Sequence, residues 1–343
     1  MNRLPLLALL PLVLALGACT GDADDGDDLP RADVGDVIQQ PGGRVEGRHT
    51  FVVLPSGRYD FTVSTPRERT DTFAAKDAGV SAEAGEDRRF VEVEWERGVV
   101  AGDAFVMQAP EDVSPMLTVT AGGERYPLGA LDEEGVYAAA VVVPEEAGDD
   151  IGLEVEYDGL TQVIRDAYDS AVTRADGPEE LYFESPGQRW AACPETSLSG
   201  GDPAVDFFGA DCRANITSPL PYFGPKGWAP EGRAWVVVRF DAGSPRTGYD
   251  GPGGYVDYSV RPSEVRLSIE GAEAPELFPY EEGEPVGQQD DGSWEALAVF
   301  SVPKTRDVTV RFRRVVVATP EDPSDAAAAG APQQIRRVHA GSL

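Results

Sequence analysis

Apolar and polar residues alternate with a period of two along much of the chain from residue 49 onward, the spacing of strands with one face buried. Tyr59-Asp60-Phe61-Thr62-Val63 alternates, as do Phe90-Val91-Glu92-Val93-Glu94-Trp95 and Leu153-Glu154-Val155-Glu156-Tyr157. Residues 116–120 and 124–128 flank Ala121-Gly122-Gly123, which predicts two strands joined by a tight hairpin. Residues 137–143 form a more continuous apolar run, suited to a central strand. Glycine and proline punctuate the intervals, and the one helical pattern in this part is a short turn near 166–172. Short strands at regular spacing with polar turns predict an all-β sandwich.

The second half repeats the order of the first. Phe61-Thr62-Val63-Ser64-Thr65-Pro66 parallels Ala214-Asn215-Ile216-Thr217-Ser218-Pro219, and Arg89-Phe90-Val91-Glu92-Val93 parallels Ala234-Trp235-Val236-Val237-Val238. Leu117-Thr118-Val119 matches Leu267-Ser268-Ile269, Val142-Val143-Pro144 matches Ser301-Val302-Pro303, and residues 153–157 match 308–312. A nearly constant offset over five blocks, with drift in the loops, predicts tandem copies of one fold. The expected division is a first β-sandwich over 48–172, a linker over 173–187 where Gly177-Pro178-Glu179-Glu180 breaks the pattern, and a second β-sandwich over 188–319. Residues 19–47, with Asp22, Asp24, Asp25, Asp27 and Asp28 among small residues, predict a flexible acidic tether reaching about 30 Å as a coil. Residues 320–343 are expected to be a disordered tail, because prolines flank the alanine run at 326–329.

Residues 1–18 have a different character. Arg3 precedes an apolar run over 4–16, too short to span a bilayer as a helix, and the run ends in Leu16-Gly17-Ala18-Cys19. The segment resembles a bacterial lipoprotein signal peptide with its lipobox. That resemblance implies cleavage after residue 18, a diacylglycerol thioether on Cys19, and a protein held by that lipid on the extracytoplasmic face of the cell membrane. An ordinary cleaved signal with a chance cysteine is the alternative.

Composition narrows the partners. The chain has 60 acidic against 29 basic residues, a net charge of −31. This excludes nucleic acid, which needs a basic footprint, and disfavours close adsorption to anionic lipid. Lysine is confined to Lys76, Lys226 and Lys304, while arginine, alanine, glycine and proline abound, the bias of a high-GC bacterial genome. Beyond Cys19 the only cysteines are Cys193 and Cys212. In an exported, oxidising setting they predict a disulfide, and closing a loop of that size contributes about 3 kcal/mol on the chain-entropy model. The alternative, two thiols at a metal site, lacks further ligands in the sequence.

With Val143-Pro144 and Val302-Pro303 closing a late strand in each half, and an alternating strand after each, the halves resemble the immunoglobulin-like extracellular domains of secreted proteins and lipoproteins of actinobacteria and other Gram-positive bacteria, a telokin-like group of secreted mycobacterial antigens among them. The resemblance covers most of residues 48–318. It implies two tandem immunoglobulin-like sandwiches at the cell envelope and supplies no catalytic residues.

Candidate chemistry is sparse. His49 and His339 are the only histidines, both expected at the surface and far apart, so neither a zinc site nor a Ser-His-Asp triad is assigned. The chain has no Gly-x-Ser-x-Gly elbow, phosphate-binding glycine loop or dinucleotide fingerprint. Carboxylate pairs drawn from Asp250, Asp257, Asp290 and Asp291 could serve glycoside hydrolysis, though nothing in their context sets them apart. The sequence therefore assigns no catalytic residue, metal or cofactor. The candidate binding surface comprises Tyr222, Phe223 and Trp228, in a segment rich in turn formers, and Tyr249, Tyr255 and Tyr258, in an expected long loop over 247–258 that also offers oxygens to calcium. The expectation is a non-catalytic binding or scaffolding role towards another envelope protein. A cell-wall polysaccharide is the alternative ligand, and a carboxylate-based hydrolase the more distant one.

Overall fold

The computed structural model describes residues 31–41, 45–70, 82–98, 110, 112–131, 136–167, 174–182, 188–193, 198–199, 205–208, 211–244, 246–280, 286–289, 293–304 and 308–343. Residues 1–30, Cys19 among them, lie outside this description, as do Asp290 and Asp291. Within the described residues the protein is all-β. The first half contains β1 (Arg31–Ala32), β2 (Val37–Pro41), β3 (Arg48–Leu54), β4 (Gly57–Val63), β5 (Glu83–Ala84), β6 (Arg88–Gly98), β7 (Met116–Ala121), β8 (Glu124–Ala130), β9 (Val136–Pro144), β10 (Ile151–Tyr157) and β11 (Leu160–Ile164). The second contains β12 (Gln188–Ala192), β13 (Leu198–Ser199), β14 (Val205–Phe208), β15 (Cys212–Thr217), β16 (Tyr222–Phe223), β17 (Gly227–Trp228), β18 (Arg233–Ala242), β19 (Arg246–Gly251), β20 (Gly254–Ile269), β21 (Glu276–Phe278), β22 (Gly287–Gln288), β23 (Trp294–Pro303), β24 (Val310–Pro320), α1 (Pro323–Ala329) and β25 (Ile335–Ser342).

These strands make two sheet pairs. In the first, β2-β9-β6-β4-β3 and β11-β10-β7-β8 share one apolar cluster that includes Val52, Phe61, Val93, Leu117, Val141 and Leu153. In the second, β12-β15-β18-β23-β21 and β13-β25-β24-β20-β19-β14 enclose Ile216, Val238, Phe240, Phe300 and Phe312. The hairpin at residues 122–123 joins β7 and β8, with Ala121 opposite Glu124.

The two sheet pairs share a skeleton. The order β3-β4-β6-β9 over β11-β10-β7 in the first matches β12-β15-β18-β23 over β25-β24-β20 in the second, and all five matched sequence blocks fall on equivalent strands. The register agrees in detail. Arg88 faces Pro144 where Arg233 faces Pro303. The Ser64 hydroxyl accepts from the Glu92 N–H, and the Thr217 hydroxyl accepts from the Val237 N–H. Three residues further on, Arg67 and Phe90 exchange two backbone hydrogen bonds, as do Leu220 and Trp235. Each half thus leaves its sheet by the same hydroxyl-clamped corner. Immunoglobulin constant domains order their strands ABED and CFG. Here the first three skeleton strands form a meander, so the likeness is one of sandwich architecture and not of strand order.

Apolar runs in the central strands have a physical cause. Ala139, Val141 and Val143 of β9 face the inner cluster, whereas Ala138, Ala140 and Val142 face a second cluster with Ala32, Val45, Ala82 and Phe90. Likewise Val236 and Val238 of β18 face inward while Trp235 and Val237 join Leu297 and Val299 of β23 in an outer cluster with Val53, Leu181, Leu220 and Phe223. A strand buried on both faces loses its alternation. That outer cluster is where the two sheet pairs meet.

Three expected boundaries need correction. Residues 31–41, placed in the tether, form β1 and β2, and β2 pairs with β9 over five residues, because Val37 and Ile38 give that edge an apolar partner. The described part of the linker is packed: Ala175 and Leu181 are buried, and Gly177 sits so close to Gln162 that an added Cβ would lie 2.0 Å from its side-chain oxygen. Residues 320–343 are ordered. Pro323 opens α1 from the first turn, where its missing N–H has no helical partner to lose. Asp322 caps the helix by accepting from the Ser324 N–H at 2.7 Å, and Gly330 ends it in the left-handed region. β25 then pairs with β24 over eight residues.

Candidate functional site

The six candidate aromatic residues separate by burial. Tyr222 and Phe223 are buried. The segment closes on itself as β16 and β17, with Tyr222 opposite Trp228, and plugs the junction of the sheet pairs. The Tyr222 ring lies 5.1 Å from Trp228 and 5.7 Å from Tyr157, both edge-on. Trp228 Nε1–H donates to the Tyr157 carbonyl at 3.1 Å, and Trp235 Nε1–H to the Gly227 carbonyl at 3.0 Å. Burial, with Tyr157 and Asp158 alongside, pushes the Tyr222 phenol above the ordinary tyrosine value. Tyr182, from the linker, is pushed up to about 12, chiefly by burial. Its hydroxyl donates to Gln162 Oε1 at 2.7 Å, and Gln162 Nε2 donates to the Val53 carbonyl. Tyr222 and Phe223 therefore belong to the core, with half-buried Trp228 packed against them and only Pro225 and Lys226 of the segment exposed.

The expected long loop over 247–258 is instead a hairpin. β19 and β20 pair from Thr247 opposite Tyr258 to Gly251 opposite Gly254, which leaves a two-residue turn. The long loop expected to offer oxygens to calcium is thus replaced by paired strands. Tyr249 and Tyr258 are buried against α1 and the chain after it, and the Tyr258 hydroxyl donates to the Pro332 carbonyl at 2.6 Å. Gly253 lets the turn approach α1: a Cβ there would lie 2.6 Å from the Ala329 Cα. Tyr255 alone of the six stands out, 61% exposed, with exposed Asp250 opposite it and exposed Asp257 two residues on.

A second exposed aromatic was missed by sequence reasoning. Trp190 is 62% exposed on β12, an edge strand of the second sheet pair. Its only sequence signal is a large ring within the otherwise small and polar Gln188-Arg189-Trp190-Ala191-Ala192.

Other polar groups are drawn into the fold. Cys193 and Cys212 form the expected disulfide, with Cα atoms 5.3 Å apart. His49 is exposed and its Nδ1 lies 3.0 Å from the Thr62 hydroxyl. His339, expected at the surface, is buried against Phe312, because β25 carries it into the second core. Its ring and the two sulfurs lie within 4.8 Å of one another, but sulfurs joined in a disulfide are not thiolate ligands. Glu92 is buried beside Arg67 at 3.6 Å, an ion pair at the first corner. Asn215, in the Asn-Ile-Thr sequon, is buried and donates to Gln188. No described helix is long and apolar enough to cross a membrane.

Comparison with family models, with curated proteins and with solved structures finds no match for this chain.

Proposed function

We propose that this chain is a lipoprotein anchored through Cys19 to the extracytoplasmic face of the cell membrane, carrying two copies of one immunoglobulin-like sandwich and serving a non-catalytic binding or scaffolding role towards another envelope protein. The observation that carries the binding reading is the pair Trp190 and Tyr255. Most of the described aromatic side chains help hold the body together, whereas these two present rigid apolar area to water at little entropic cost. The shared corner hydrogen bonds support the reading of two copies. The acidic composition supports a body held by its lipid and otherwise repelled from anionic headgroups.

Crosslinking in intact producer cells, followed by membrane capture of the tagged protein and mass spectrometry, tests this reading. One dominant protein partner is expected, reduced at least tenfold by Tyr255→Ala or Trp190→Ala with thermal unfolding unchanged. Cys19→Ser should release the protein from membranes and remove the lipid mass. Recovery of the protein alone would sink the protein-partner reading, and binding to protease-treated cell wall would move the role to a polysaccharide.

A further inference from the structure

The disulfide lies in surroundings unlike those of an inert staple. Cys193 lies beside Cys212, the first residue of β15, and the Cys193 N–H donates to the Cys212 carbonyl at 2.9 Å. Their two sides differ. Cys193, just beyond the end of the edge strand β12, is half-buried, whereas Cys212 is buried. Behind Cys212 stands a nitrogen-bearing side chain from the other sheet, with a second beside it. His339 Nδ1 is 4.0 Å from Cys212 Sγ, and its ring is fixed edge-on to Phe312 at 5.1 Å. Arg314 faces His339 across the β24–β25 ladder and is wholly buried. Its guanidinium donates to the Gly243 carbonyl at 2.8 Å, and the Gly243 N–H donates to the carbonyl of Asp211, the neighbour of Cys212. Burial lowers Arg314 to about 10, which leaves it positive at neutral pH.

A purely structural disulfide gains nothing from a buried cation and an imidazole nitrogen behind one sulfur. A thiolate formed at that sulfur gains from both, because charge interactions strengthen away from water and a stabilised thiolate leaves faster. We propose that Cys193–Cys212 is a thiol–disulfide exchange site, in which an external thiol attacks Cys193, the less buried of the two, and Cys212 departs as a thiolate held by His339 and favoured by the positive charge of Arg314 beside it. In the first step a bond forms between the attacking sulfur and Cys193 Sγ, the Cys193–Cys212 bond breaks, and its electron pair stays on Cys212 Sγ. A second thiolate, from the same dithiol or a second thiol molecule, attacks the external sulfur of the mixed disulfide. Cys193 leaves and takes up one of the two protons given up by the attacking thiols, while Cys212 stays a thiolate and the other proton goes to solvent. Two thiols are thereby oxidised to one disulfide and the protein is reduced by two electrons. This inference is independent of the binding role proposed above.

The test equilibrates the native full chain with glutathione redox buffers and reads the reduced fraction by maleimide mass shift. Arg314→Met and His339→Phe are each expected to make the disulfide at least tenfold harder to reduce, about 30 mV for a two-electron couple. Equal midpoints in both folded variants and the unaltered protein would overturn the proposal. Should either variant fail to fold, the site of attack decides: limiting glutathione followed by an acid quench should leave the mixed disulfide on Cys193, and finding it on Cys212 refutes the mechanism. Faster reduction by reduced thioredoxin than by glutathione at equal thiol concentration assigns the site to a protein dithiol, and the reverse assigns it to a small thiol. Resistance of the native chain to both overturns it.

Discussion

The indole of Trp228 is held from two directions: its ring lies against Tyr222 and Tyr157, and its N–H is fixed to the Tyr157 carbonyl. Removing it leaves a cavity among aromatic rings and strips that carbonyl of a donor. Trp228→Ala should therefore destabilise the protein by about 3 kcal/mol, the usual cost of such a truncation, read from the urea midpoint. Tyr255→Ala, at a solvent-facing position, should leave the same midpoint within about 0.5 kcal/mol. The sequence does not separate these cases. Aromatic rings among glycines and prolines suit both a displayed patch and a folded-back plug. Tyr157, the residue that decides for Trp228, is distant in the chain and invisible to local pattern. The same holds for His339, whose burial depends on which strand its own segment joins.

Among the elements, those with a clear period were legible and those shaped by their neighbours were not. The β7–β8 hairpin follows from two glycines between alternating segments, and the equivalent strands follow from the five matched blocks. β25 was hidden for two reasons. Ile335-Arg336-Arg337-Val338-His339-Ala340-Gly341-Ser342 does not alternate cleanly, and Pro323 looks like a breaker until it is placed in the first turn of α1. Yet β25 contributes eight paired positions on the outer side of β24 and covers Arg314 and Phe312. A chain ended at Pro320 is expected to lose the second sheet pair's cooperative melt, by near-ultraviolet circular dichroism. A truncated protein melting within 3 °C of the full chain would show the element to be dispensable.

For the whole molecule, the outer cluster matters most. Val53 from β3, Leu181 from the linker, Phe223 from the plug and Val237 with Leu297 from β18 and β23 form one apolar contact, bordered by the Tyr182–Gln162–Val53 hydrogen-bond chain. Such a seam resembles a domain interior more than a wet interdomain contact. Calorimetry should then show one transition with matching calorimetric and van't Hoff enthalpies. Two resolved transitions would mean the seam is weak, and Val237→Asp should produce that separation.

The two hydroxyl-clamped corners have a consequence for how such a chain can change. Ser64 and Thr217 mark the same point in one plan, but the residues just past them answer to different company. Phe90 is roofed by the protein's own N-terminal segment, and Trp235 by the opposite half. The inner faces are alike in kind, and the outer faces are particular to their place. A strand grafted from one half into the other would bring an interior that fits and an exterior that meets strangers.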